Sequence, residues 1–106
     1  MGERMSKVAD SATVEQTKLI WLRDVEREER TTGQKLRDLE AYLRLAHPDL
    51  LAFAERVWQD KTDALNWLGN PHAELDGAIP AAILDGEGGK GRVENVLAAL
   101  EYGFPV

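Results

Sequence analysis

His72, Glu74 and Asp76 alternate along one short stretch and are the nearest thing in this sequence to a metal-ligand set. Imidazole and carboxylate together suit a divalent cation, but alternation within a loop fixes no geometry. Neither His47 nor His72 has a second ligand four residues away on a helix, so no metal is expected. Gly86-Glu87-Gly88-Gly89-Lys90-Gly91 has the composition of a phosphate cradle. It lacks the Lys-Ser/Thr ending and a preceding strand, and Asp85 and Glu87 would repel an anion. Ser6 and Ser11 lie near the start without the context of an activated nucleophile. With no cysteine there is neither a thiol nucleophile nor a disulfide. Trp21, Trp58 and Trp67 could stack on a ligand, yet each falls on an apolar stripe at helical spacing, where core packing is the expectation. No catalytic residue, cofactor or metal is therefore assigned.

The residues left without a bland explanation are the last four, Gly103-Phe104-Pro105-Val106. An apolar segment beyond a helix stop can fold back on its own core. It can also protrude, with Phe104 as an anchor and Pro105 lowering the entropy cost of ordering it on a partner.

The elements that would position this segment follow from periodicity. Residues 1–12 mix small, polar and charged types without a period, and disorder is expected there. A helix is predicted from Thr13 to Arg30, with Val14, Trp21, Leu22 and Val25 on one side and Leu19 and Ile20 widening it. Its charged end, Arg23 to Arg30, reads as a solvated face. Thr31-Thr32-Gly33 breaks the pattern. A second helix, Gln34 to Ala46, carries Leu36, Leu39, Leu43 and Ala46 as a narrow stripe. Pro48 opens a third helix, with Asp49 near the positive end of its dipole and Leu50, Leu51, Ala54, Val57 and Trp58 buried. Thr62 is expected to cap a fourth helix, whose Ala64, Leu65, Trp67 and Leu68 pack inward and which Gly69 stops. Gly77 permits a positive φ, and Pro80 starts a short helix. A last helix, Gly89 to Tyr102, buries Val93, Val96, Leu97 and Leu100, and Gly103 ends it. No period-two alternation occurs anywhere. The predicted fold is all-α, a small bundle of five or six helices with short Gly/Pro-rich loops.

The second half of this pattern resembles the toxin-binding domain of the Xre/MbcA/ParS antitoxin family. Trp67, Leu68, Pro71, Leu75, Gly77, Pro80, Leu84, Gly89, Val93, Leu97, Glu101, Tyr102 and Gly103 stand in the family's order without a gap. His72 stands where the family usually has Asn, and Gly86 where it often has Thr; both are read as turn caps. The resemblance covers about Ala54 to Val106. It implies three segments: residues 1–12, a helical segment 13–53 that is a reduced helix-turn-helix remnant or a dimerisation element, and a toxin-binding domain 54–106. It also implies a bacterial type II toxin–antitoxin system, with a RES-domain, NAD-consuming toxin as partner. Residues Glu101, Tyr102, Gly103, Phe104, Pro105 and Val106 would then bind the toxin and occlude its active-site cleft.

Bulk properties are compatible with this. At 106 residues the chain is long enough for one modest core. Charged residues are 30% and hydrophobic residues 43%, and no run of about 18 apolar residues is present, so a cytoplasmic protein is expected. Residues 1–46 contain nine basic and nine acidic residues. Residues 47–106 contain four basic and ten acidic ones, and so carry the whole net charge of −6. Such acidity repels nucleic acid and suits a basic partner; simple solubility explains it equally well. A dinucleotide-binding cleft is basic, so an acidic domain ending in a carboxylate complements it. Three functions remain open: a toxin-neutralising antitoxin, a DNA-binding autoregulator, and a non-catalytic helical dimer scaffold. DNA reading is disfavoured, because the near-neutral first half offers no recognition helix with a basic face. A homodimer or a hetero-oligomer with the toxin is expected.

Overall fold

The computed structural model describes residues 11–27 and 31–103. Among the described residues are five α-helices and two 3₁₀ turns: α1 (Ser11–Arg27), α2 (Thr32–Ala46), α3 (Pro48–Trp58), α4 (Lys61–Leu68), the turns Ala73–Leu75 and Pro80–Ala82, and α5 (Gly89–Glu101). Among the described residues, β structure is limited to an isolated bridge between His72 and Ala78, so the all-α expectation holds. No described helix is long and apolar enough to cross a membrane. The chain divides into two compact units, residues 1–48 and 49–106.

In the first unit α1 packs along α2. Thr31 caps α2, its hydroxyl accepting from Gln34 N–H at 3.2 Å, and the helix therefore begins at Thr32, ahead of the expected Gln34. Trp21 stacks nearly parallel on Tyr42, with centroids 6.1 Å apart, and the His47 ring meets Tyr42 edge-on at 6.0 Å. The predicted stripe of α2 is displaced by this stack. Leu39 and Leu43 are buried together with Tyr42, whereas Leu36 and Ala46 are half-buried. Leu19 and Ile20 do not widen the core of α1 but stay exposed. The solvated reading of the charge run also needs correction. Asp24 is buried, because it lies three residues after Trp21 on the inward arc, while Arg23, Glu26 and Arg27 are exposed. Helix α1 begins by Ser11, two residues before the expected start. Its predicted end at Arg30, and the disorder expected of residues 1–10, lie outside the described residues.

The second unit is built on Leu50, Leu51 and Ala54 of α3, Ala64, Leu65 and Leu68 of α4, and Val93 and Leu97 of α5. Leu75, Pro80, Ala81 and Leu84 fill the space between from the loop side. Asp60, not Thr62, caps α4: its carboxylate accepts from Asp63 N–H at 2.9 Å, and the helix starts at Lys61, two residues before a Thr62 cap would place it. Gly69 does end α4, but at φ −99, a conformation open to any residue. Pro80 occupies the first position of its turn as predicted. Helix α5 stops one residue short of the expected Tyr102, which is its C-terminal cap.

Candidate functional site

Two loops and one helix end carry the residues singled out above. The first loop follows α4 and runs through the Ala73–Leu75 turn as far as Pro80; the second is the glycine cluster before α5. His72 is the hub of the first: its N–H donates to Ala78 O at 3.2 Å, and its carbonyl accepts from Leu75 N–H and Gly77 N–H at 3.0 and 2.9 Å. The turn then reverses through Asp76 at φ 59 and Gly77 at φ 84. The His72 side chain does not cap this turn. Instead its ring lies 4.9 Å from the Trp67 ring, almost parallel, and its Nε2 is 2.7 Å from the Trp67 carbonyl. The ring thus fastens the loop to the end of α4. Trp58 continues the aromatic row, 6.5 Å from Trp67. Trp58 and Trp67 are only half-buried, so of the three tryptophans Trp21 alone is enclosed as expected.

This geometry accounts for the suspected metal set. His72 faces the Trp67 carbonyl, and Asp76 accepts from Arg92 of α5 at 3.0 Å. Among the described residues no group of three potential ligands converges. The glycine cluster is likewise structural. Gly88 adopts φ 77 and caps α5, and Gly89 packs so closely that a Cβ there would lie 1.8 Å from Ile83 O. Leu68, Leu75, Pro80, Leu84, Gly89 and Val93 are all buried, whereas Pro71 and Gly77 are exposed turn residues. These motif positions build the unit rather than present a reactive group.

The partner-binding candidates occupy the opposite end of α5. Glu101 is the last helical residue, Tyr102 follows it and is 73% exposed, and Gly103 turns the chain at φ 79. Tyr102 N–H donates to Ala98 O and Gly103 N–H to Leu100 O, at 3.1 and 3.0 Å. Glu101 receives the Arg56 guanidinium of α3 at 3.2 Å. Arg56 also covers the Phe53 ring, 4.9 Å from its centroid. Phe104, Pro105 and Val106 lie outside the described residues. Sequence reasoning missed Arg56, because its partner is 45 residues away.

Residues 53–103 match the family model described as the antitoxin Xre/MbcA/ParS C-terminal toxin-binding domain. This segment belongs to that antitoxin family. Comparison with curated proteins and with solved structures gives no match. The matched segment begins within α3 and ends at Gly103, so it holds the first loop, both 3₁₀ turns, α5 and the Arg56–Glu101 pair. A toxin-binding domain of an antitoxin implies a toxin as partner, and the exposed end of α5 belongs to it.

Proposed function

We propose that this antitoxin neutralises a RES-domain, NAD-consuming toxin by filling its active-site cleft with residues 104–106. The chain itself performs no chemistry in this reading. The observation that carries it is the exposed Tyr102 at the end of a toxin-binding domain, two residues before Phe104 in the sequence. An exposed tyrosine offers large contact area at low entropy cost, and the sequence supplies a second aromatic residue, Phe104, two positions on. The acidic 47–106 half complements a cleft built for a pyrophosphate. The remaining members of the set, Glu101, Pro105 and Val106, would shape the approach and stiffen the segment.

Deletion of residues 104–106 tests the reading directly, with NAD consumption by the toxin as readout. The shortened antitoxin should still bind through the helical body but lose most inhibition. Full inhibition by the shortened form sinks the occlusion mechanism. Autoregulation of transcription is a separate property, measured by the shift of a promoter fragment with and without toxin.

Self-association is assigned to the first unit. Glu15, Leu19 and Arg23 follow one another at four-residue spacing on the exposed side of α1. An antiparallel second copy centred on Leu19 would set each Glu15 against the other Arg23. Light scattering on the wild type and on Leu19→Glu distinguishes a dimer from a monomer; a monomeric wild type removes the assignment.

A further inference from the structure

Glu101 stands in a place that electrostatics disfavours. It closes α5, where the unsatisfied carbonyls already carry partial negative charge, and the last turn of α5 contains no basic residue. A carboxylate at this end repels the helix dipole and promotes fraying of the final turn. The compensation comes from another helix. Arg56 lies in the last turn of α3, where a cation is favoured, and its Nε reaches Glu101 Oε2 at 3.2 Å. One guanidinium therefore serves the negative ends of two helices at once. The Phe53 ring beneath it, 4.9 Å away, limits its rotamers and lowers the entropy lost in holding the pair. What this secures is the hydrogen bonding of the two residues that follow, Tyr102 N–H to Ala98 O and Gly103 N–H to Leu100 O.

We infer that Arg56 and Glu101 form a clasp that holds the last turn of α5 and thereby presents Tyr102 to the toxin. Glu101 is on this view a positioning residue, turned toward its own chain, and Tyr102 is the first residue that meets the partner. The inference rests on the occlusion reading for its consequence, and on the α3–α5 geometry alone for the clasp itself.

Three variants of the full-length antitoxin test it: Arg56→Glu, Glu101→Arg and the double exchange. Two readouts are taken, amide hydrogen exchange in the free antitoxin and affinity for the toxin. Arg56→Glu places two carboxylates together, so exchange at Tyr102 and Gly103 should accelerate by roughly fivefold, with a toxin affinity loss of similar size. The double exchange should restore both. Unchanged amide exchange in Arg56→Glu means that no clasp exists. Restored exchange without restored affinity means that Glu101 or Arg56 touches the toxin directly, which also overturns the inference. In the form lacking residues 104–106 the Arg56 effect on affinity should shrink while that on exchange persists. If the shortened form instead inhibits fully, the occlusion reading fails, and the exchange measurement still decides whether the clasp is real.

Discussion

At the scale of single residues, two glycines in one helix turn make opposite demands. A Cβ on Gly89 would meet Ile83 O at 1.8 Å and Ile83 C at 2.8 Å, both backbone atoms that no rotamer change can move. Gly91, two positions on, has nothing within 4 Å of its Cβ position. Gly89→Ala should therefore cost about 3 kcal/mol or more, because the α5 start must part from the loop that ends at Leu84. Gly91→Ala should stabilise by about 0.5–1 kcal/mol through helix propensity. Urea denaturation of the two variants checks both signs, and equal effects would refute the steric account. The sequence marks Gly89 as part of a cluster of breakers but cannot rank its members. Steric demand here comes from Ile83, whose position depends on how the second 3₁₀ turn packs. The same limit hid the role of His72. Its ring fastens the loop to the Trp67 carbonyl, a contact that no turn-propensity argument contains.

At the scale of elements, legibility follows the range of the interaction. Spacing rules placed all five described helix starts within about two residues, because caps and prolines act locally. The residue that caps α4 was not legible in the same way. Two candidate caps, Asp60 and Thr62, lie at the start of α4, and residue type alone does not choose between them. Gln59 decides: it leaves α3 at φ 57, and this left-handed residue orients the chain so that Asp60 adopts the extended cap conformation. Asp60→Ala should lower stability by about 1 kcal/mol, whereas Thr62→Ala should change it by less than about 0.5 kcal/mol. Thermal melts of the pair measure this, and a larger loss from Thr62→Ala would reverse the assignment. On α1, apolar content predicted that Leu19 and Ile20 would be inside and Asp24 outside. The arc that carries Trp21 instead took Asp24 inward, since helical phase overrides residue type once a large ring is anchored.

At the scale of the molecule, the charge partition and the matched domain coincide. The −6 resides in residues 47–106, which include the matched domain, while residues 1–46 are neutral in sum. Among these acids Glu101 is engaged by Arg56, Asp76 by Arg92 and Asp60 by the α4 amide that it caps. Glu74 and Glu87 are exposed on the loops that precede α5. Charges of this kind contribute little to the stability of a bound complex but raise the rate of encounter with a basic surface, over a range set by the Debye length. Association with the toxin should therefore slow roughly tenfold as salt rises from low millimolar to about 0.5 M, with dissociation almost unchanged. Glu74→Gln with Glu87→Gln should flatten that salt dependence, and Glu26→Gln in the neutral half should not. Stopped-flow association rates across a salt series separate the cases. An association rate indifferent to salt would assign the acidity to solubility, leaving shape and the proposed anchor at Tyr102 to account for recognition. A dependence equally sensitive to Glu26→Gln would instead distribute steering over the whole chain, contrary to the confinement of the net charge to its second half.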